Sequence, residues 1–529
     1  MIKKNSINYY DIIFILLIFS YILLGILLVI NIPYTFPFGG PDEVMHISMA
    51  EYISKHLSWP NWDSTELTRN AYGVSYSTGS AIVYWLHGLS YKIFGHHRIG
   101  SFILLLFYLL LASIFYRKNR LAGFFLLASL FPQTLFIFSY VNSDTGTVIS
   151  ALLLGMSIGL YLIGKDNERN FLLMMFFAGF AVTARQHMWA IAFFALIAVL
   201  IYKYKTILRY NKKFLIIGLI VALIPASWWF ITSYLANDGD VLGAFTNAKS
   251  ILKFSKEGLP SLGRDWEYFS LDTFVQFTLR SIYANWGWVD LPLYDYEYIF
   301  ITLLIVLITI ILYKTLNSKI FFFLIFLIIL NFIFMIVYSI FYDYQPQGRY
   351  LFPSIYVSVG IIAITLVLKK IESKNLLLLL SIFVSLNIFF STQLILSSYL
   401  YLDKPTPIKY ENIKYSKNAL LHIDGLKIID KKLFIKGWAF NKLNAKLFNN
   451  LKLVLQKDNK FYEIDLNSQE RNDVAKAFKN KNLLNAGFNA KMIDVTKLEK
   501  GRYRCFLSIT ENNKTMLIDC KKSLKIKGD

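Results

Sequence analysis

Phe171-Leu-Leu-Met-Met-Phe-Phe-Ala-Gly-Phe-Ala-Val-Thr-Ala-Arg185-Gln-His187-Met-Trp-Ala-Ile-Ala-Phe-Phe-Ala-Leu-Ile-Ala-Val-Leu-Ile-Tyr-Lys203 decides how this chain is threaded. Two apolar runs, 171–184 and 187–203, flank Arg185 and Gln186, with His187 opening the second run. A membrane-crossing helix takes about 20 apolar residues, so the stretch is either one long tilted helix or two short crossings. The neighbouring cations separate these readings. Lys165 and Arg169 precede the stretch, and Lys203, Lys205, Arg209, Lys212 and Lys213 end or follow it. One crossing puts the two groups on opposite sides of a membrane; two crossings keep them together. Short loops rich in Lys and Arg stay cytoplasmic, so two crossings are expected.

The same rule organises the rest of the chain. Further candidate spans lie at 10–31, 98–116, 121–141, 146–163, 214–235, 297–314, 319–341, 351–369 and 376–399. Lys3 and Lys4, then Arg117, Lys118 and Arg120, then Lys314 and Lys319, then Lys369, Lys370 and Lys374 all fall on the side of Lys203. The expected fold class is a mainly α polytopic membrane protein with about eleven transmembrane helices in residues 1–400. Its N-terminus is cytoplasmic, and the long loops 32–97 and 236–296 lie outside together with a soluble tail, 403–529. The first run, Tyr9–Asn31, exceeds the about 7–15-residue core of a signal peptide and has no small-x-small cleavage site, so it is expected to be retained.

Composition agrees. The 529 residues are 56% apolar and 17% charged, against about 45–50% and about 25% in an ordinary soluble domain. The net charge of +21 is concentrated after residue 402 and in the short loops, a distribution that argues for membrane orientation and against a nucleic-acid partner. With only Cys505 and Cys520, there is no disulfide framework and no cysteine metal site.

The tail alternates as strands do. Leu433-Phe-Ile-Lys-Gly-Trp-Ala-Phe440, Leu451–Leu455 and Phe461–Leu466 are expected strands, with Asp458-Asn459 a hairpin turn. A second two-residue turn at Asn512-Asn513 would set Cys505 opposite Cys520, within disulfide range in an exported β-rich domain; two buried thiols are the alternative.

Ionisable residues gather in the outer loops. The first opens with Pro37-Phe-Gly-Gly-Pro41-Asp42-Glu43-Val-Met-His46. A helix starting there brings His46 onto the face of Asp42 and Glu43, and Val44, Ile47, Ala50, Ile53 and Leu57 form a stripe that would suit a membrane surface. Both acids also suit an ordinary helix N-terminus. Asp144 follows Asn142 and Ser143 in a short turn, where it could equally cap the next helix. Arg185 and His187 are ionisable groups near membrane depth, a functional signal by default, although Arg185 could snorkel to the interface. Arg349, in Gln345-Pro-Gln347-Gly-Arg349-Tyr350, could hold a phosphate through two N–H groups or be a surface cation. Trp286, Trp288 and Asp290 could stack on and bond a sugar, or the tryptophans could belong to an interfacial belt. No phosphate-binding glycine loop, zinc triad or serine elbow is present at convincing spacing.

Several of these stretches resemble a known group of proteins. Acids opening the first outer loop, then Tyr84-Trp-Leu86 and Ile93-Phe-Gly95 before Arg98 and the second span, are similar to the membrane-embedded glycosyltransferases of the GT-C superfamily. Pro41-Asp-Glu-x-x-His46, Val141-Asn-x-Asp144, Trp286-Gly-Trp288-x-Asp290 and Gln347-Gly-Arg-Tyr-x-x-Pro353 look like a bacterial GT-C-like family with PDE-x-x-H and QGRY loops. The resemblance covers roughly residues 10–400. It implies an inverting transferase that takes a sugar from a polyprenyl-phosphate donor to a surface glycan or wall-polymer acceptor. Asp42 or Glu43 would be the base, and His46, Asp144, Arg185, His187, Gln347, Arg349 and Tyr350 would bind substrate. Arg185 stands where related lipid-sugar transferases would have a lysine, which puts its role in doubt. A divalent cation held by Asp42, Glu43, His46 and Asp144 is a further candidate cofactor. The tail, through Gly437-Trp-Ala-Phe440, Arg471-x-Asp473-Val, Ala486-Gly-Phe488 and Gly501-x-Tyr503, resembles a β-rich module found beside surface-polysaccharide enzymes. The rival expectations are a flippase of lipid-linked glycan, which should show broken helices, repeats and paired polar residues within spans, and a non-catalytic wall-polymer assembly protein.

Overall fold

The computed structural model describes residues 9–34, 39–70, 73–79, 81–164, 168–254, 270–287, 291–341, 345–400, 404–409, 414–416, 418–429, 432–448, 450–469, 471–511 and 514–526. The chain divides into two compact units, Met1–Gln393 and Leu394–Asp529.

The first unit is helical. Its helices are α1 (Tyr9–Asn31), α2 (Glu43–His56), α3 (Val83–Phe94), α4 (Ile99–Lys118), α5 (Arg120–Ala128), α6 (Pro132–Ile137), α7 (Asp144–Ile163), α8 (Glu168–Val182) and α9 (His187–Tyr202). After the single turn α10 (Tyr204–Ile207) come α11 (Lys212–Ala236), α12 (Ala244–Phe254), α13 (Leu271–Tyr283), a two-residue ladder of β1 (Asn285–Trp286) with β2 (Leu291–Pro292), α14 (Asp295–Thr315), α15 (Ser318–Phe341), α16 (Phe352–Leu368) and α17 (Lys374–Ile395).

Among the described residues eight helices are long and apolar enough to cross a membrane: α1, α4, α7, α11, α14, α15, α16 with the turn before it, and α17 with the turn after it. The protein is therefore a multi-pass, mainly helical membrane protein. Three of the eleven expected spans differ. Glu168–Val182 and His187–Tyr202 are separate helices of 15 and 16 residues, short for a full crossing.

The stretch 121–141 is broken rather than continuous. α5 ends at Ala128, and α6 restarts at Pro132. Proline has no N–H and disfavours helix in the residue before it; Phe131 is extended, with φ −57° and ψ 157°. A helix broken at membrane depth must have its freed carbonyls satisfied from elsewhere. Tyr21 bonds to the carbonyl of Leu130 (3.1 Å), Tyr356 to that of Ser129 (2.6 Å), Asn387 to that of Ala128 (3.0 Å) and Trp286 to that of Pro132 (3.0 Å).

α7 and α16 run in parallel and touch backbone to backbone. A Cβ on Gly155 would lie 2.1 Å from the carbonyl oxygen of Val357, and one on Gly360 would lie 2.4 Å from that of Leu152. Small residues permit such approach where lipid supplies no hydrophobic drive between helices. The contact sets the start of α7, at Asp144, beside the turn that carries Arg349.

The second unit is β-rich. Its strands are β3 (Thr406–Ile408), β4 (Lys414–Tyr415), β5 (Ala419–Ile429), β6 (Lys432–Asn441), β7 (Lys452–Lys457), β8 (Lys460–Asp465), β9 (Asn467–Gln469), β10 (Gly487–Asp494), β11 (Gly501–Glu511) and β12 (Lys514–Ile526), with the short helix α18 (Asn472–Ala477) between β9 and β10. They form a six-stranded sheet, β3-β8-β7-β11-β12-β4, and a four-stranded sheet, β5-β6-β10-β9. Leu433 and Ile435 of one sheet and Leu453, Leu455 and Leu507 of the other share a core. The β7–β8 hairpin turns at Asp458-Asn459, Lys457 pairing with Lys460 and Asp458 at φ 53°, as a two-residue hairpin requires.

The expected disulfide is not formed: Cys505 and Cys520 are buried free thiols. Glu511 pairs with Lys514 and Phe506 with Asp519, but the register then slips, so that Arg504 pairs with Ser523. This bulge falls on the two cysteines and removes their opposition. Burial pushes the Cys505 thiol up to about 12.

Candidate active site

The start of α2 is an unusual helix entry. Asp42 holds φ 57° and ψ 15°, the left-handed region, and its side chain makes no capping bond. Aspartate is among the few non-glycine types that adopt this conformation, and such backbone is concentrated at functional sites. Its carboxylate points to Tyr76, whose hydroxyl donates to Oδ2 at 2.9 Å. The ordinary capping role is thus absent. Gly40, two residues earlier, lies against the Tyr140 ring, where a Cβ would come within 2.0 Å.

Glu43 is placed quite differently. It is buried, and Arg98 donates to both its oxygens, from Nε at 2.7 Å and Nη2 at 2.7 Å. The backbone N–H of Val141 adds a third bond to Oε1 at 3.0 Å. Arg98 spends its remaining donors on the carbonyls of Val29 (3.0 Å), Ile32 (2.6 Å) and Pro33 (3.3 Å) at and just past the end of α1. This pair fastens α1, α2, α4 and the Tyr140–Asp144 turn together, and its buried carboxylate is committed to Arg98 and the Val141 N–H.

α2 does not present the expected stripe to a membrane. It buries Met45, His46, Met49, Ala50 and Ile53, while Val44 and Leu57 are exposed. The inward side is set by packing on α3. His46 is stacked on Tyr76, with ring centroids 3.9 Å apart, and its Nδ1 meets the Tyr84 hydroxyl. Burial, then the charge of Arg185, holds its imidazole well below the usual range, so His46 is neutral at pH 7.

Asp144 opens α7 without capping it. One oxygen accepts from Arg185, in the connection between α8 and α9, and the other lies 3.5 Å from Nη1 of Arg349. Arg349 also donates to the Tyr140 hydroxyl at 3.1 Å. The Tyr350 ring lies 5.6 Å from the Arg185 guanidinium and 5.5 Å from that of Arg349, within cation–π range. His187 meets the same ring edge-on at 5.7 Å. Two cations share one carboxylate here. Nε of Arg349 and Nε2 of His187 are buried and have no hydrogen-bond partner among the described residues.

Asp42, His46, Asp144, Arg185, His187, Arg349 and Tyr350 are therefore gathered around one place, with Tyr140 as the link: it packs on Gly40, precedes the N–H that binds Glu43, and bonds to Arg349. Gln347 bonds within its own loop, to Gln345 at 3.1 Å. Trp286 is not available to a sugar. It is fully buried, stacked on Phe136 at 5.2 Å with its N–H on the Pro132 carbonyl. Trp288 and Asp290 lie outside the described residues. The divalent cation considered at Asp42, Glu43, His46 and Asp144 does not fit the geometry. Among the described residues no three His, Cys, Asp or Glu converge to hold a metal, since Glu43 is committed to Arg98 and Asp144 to two arginines.

Tyr76 and Tyr140 were not among the expected site residues. Tyr140 directly precedes Val141-Asn-x-Asp144, which was a usable signal; Tyr76 had none, since it meets Asp42 only through the fold.

A bundle of apolar helices with buried arginines and carboxylates at the ends of its spans defines a multi-pass membrane protein with an internal polar site. The chain belongs to the DUF2142 family, described as predicted membrane protein, which matches residues 91–359. No curated protein matches the sequence. Among solved structures, ArnT from Cupriavidus metallidurans bound to undecaprenyl phosphate is similar at 14% identity and a TM-score of 0.43, over 68% of this chain and 60% of that one. This chain thus spans somewhat less than two thirds of that protein.

Proposed function

We propose that the protein is an inverting glycosyltransferase of the GT-C type, moving a sugar from a polyprenyl-phosphate donor to a surface-glycan or wall-polymer acceptor on the outer face of the membrane. The observation that carries this reading is the pair of arginines, Arg185 and Arg349, set on one carboxylate, Asp144, with the buried Nε of Arg349 unpartnered among the described residues. A buried donor without a partner costs about 1–3 kcal/mol, and a phosphate oxygen would remove that cost. In the reaction the acceptor oxygen attacks the anomeric carbon and gives its proton to Asp42. The bond from that carbon to the phosphate oxygen breaks, and the lipid phosphate leaves with its charge on Arg349 and Arg185. Glu43 has no part in proton transfer.

Incubating the purified protein with a panel of polyprenyl-phosphate sugars tests this. Release of free polyprenyl phosphate, lost in Asp42→Asn, is expected; no release with any donor rejects it. A flippase for lipid-linked glycan is the second reading, favoured by the broken α5–α6 segment. The side chains that close its carbonyls speak for a structural break instead, and a flippase would move the donor without cleaving it.

A further inference from the structure

Beside the candidate site lies a helix with inverted polarity. α12 buries Thr246 and Ser250 and turns Phe245, Ala248, Lys249 and Leu252 outward. Phe245 is 77% exposed, Leu252 87%, and Leu242 just ahead of the helix 57%. Positions 245, 248, 249 and 252 share one helical face. The inward face is held by hydrogen bonds: Thr246 Oγ1 donates to Asp240 (3.0 Å), Thr78 donates to Asn247 (2.9 Å), and Ser250 donates to the Gly73 carbonyl (2.6 Å). A helix surrounded by water packs through its apolar side and exposes its polar side; this one does the reverse. In sequence α12 comes a short connection after α11, whose last turns expose Ile231, Tyr234 and Leu235.

We propose that α12 lies in the membrane surface, with Leu242, Phe245 and Leu252 among the acyl chains and Lys249 at the lipid phosphates, and that it holds the candidate site at headgroup depth. Amphipathic helices seated this way carry apolar residues below and cations at the level of the headgroups. α12 and the residues leading into it touch both halves of the site. Gln186, between Arg185 and His187, donates to the Leu242 carbonyl at 3.0 Å. Residues 73–79, bonded through Gly73 and Thr78, carry Tyr76, the partner of Asp42. The seat of one helix therefore sets the depth of the base and of the arginines together.

The test needs no turnover, so its outcome is separate from that of the transferase reading. Full-length protein, with Cys505→Ala and Cys520→Ala, is placed in nanodiscs of phosphatidylglycerol and phosphatidylcholine. A nitroxide is attached in turn through Phe245→Cys and Leu252→Cys, with Ile231→Cys on α11 as lipid reference and the exposed Lys497→Cys as water reference. Collision with oxygen should exceed collision with a water-soluble nickel chelate at 245 and 252, as at 231, and fall below it at 497. Labels at 245 and 252 that meet the nickel chelate freely overturn the proposal. Labels shielded from both reagents overturn it too, because protein rather than lipid then covers the helix.

Discussion

The first unit contains two buried arginine–carboxylate clusters, and they are built to opposite plans. At Arg98–Glu43 one cation meets one anion, both carboxylate oxygens are taken, and the remaining guanidinium donors end on backbone carbonyls. At Asp144–Arg185–Arg349 two cations share one anion, and among the described residues buried nitrogen atoms are left without partners. Charge taken out of water is tolerated when it is paired and fully bonded. The first cluster meets that condition and ties helices together. The second leaves a guanidinium donor open, with Asp42 the further acid gathered beside it, and an open donor is what an incoming oxyanion would take up. Acidic residues adjacent in sequence, Asp42 and Glu43, are divided between these plans.

The sharpest way to break this comparison is to neutralise the two acids separately. Asp42→Asn should lower turnover by about 10²–10⁴-fold, the usual share of a positioned base, with the melting temperature unchanged, because asparagine also accepts the left-handed backbone. Single-turnover donor cleavage alongside thermal unfolding measures both. Glu43→Gln should show the reverse, a loss of stability. Breaking a buried pair by removing one partner costs about 3–5 kcal/mol, and Arg98→Gln should cost a similar amount. If Glu43→Gln melts like the parent but no longer cleaves donor, the roles assigned to the two acids are exchanged.

Arg349 probes the open cluster. Lysine keeps the charge but loses the planar fork that can hold two phosphate oxygens. A hydrogen bond to a charged group is worth about 1.5–3 kcal/mol, so Arg349→Lys should lower kcat by roughly ten- to a hundredfold. Donor KM should change less, since the phosphate gains charge in the transition state. Arg349→Ala should lower kcat further. Unchanged turnover in the alanine variant removes Arg349 from the site.

Much of this arrangement is legible in the sequence. Apolar runs identified the long helices, and alternation identified the strands at 433–440, 451–455 and 461–466. Asp144, Arg185, His187 and Arg349 were visible as ionisable groups at span ends. Three kinds of information were not visible. The break at Leu130-Phe131-Pro132 was masked because apolarity persists across it, and what satisfies it comes from residues as distant as Tyr21 and Asn387. The bulge at Cys505 and Cys520 is a local shift in pairing, which the count of residues back from a turn does not reveal. The division between Asp42 and Glu43 depends on Arg98 and Tyr76, partners that only the tertiary fold supplies.

The smallest expected effect concerns Tyr76, which the fold alone brings to Asp42. Tyr76→Phe removes one hydroxyl and keeps the ring stacked on His46. Among the described residues Tyr76 is the sole side-chain hydrogen-bond partner of the Asp42 carboxylate, so without it the carboxylate should sample more rotamers. One neutral donor contributes about 0.5–1.5 kcal/mol, so turnover should fall by only about two- to tenfold. Donor KM should hold, because Tyr76 orients the base and does not touch the arginines. Tyr76→Ala should lose more, since the His46 stack goes as well, and it should also lower the melting temperature. A phenylalanine variant that turns over at the parent rate would show that the backbone of Asp42, held in its left-handed conformation, positions the carboxylate unaided. A rise in donor KM at constant kcat would move Tyr76 from the base to the donor-binding side of the site.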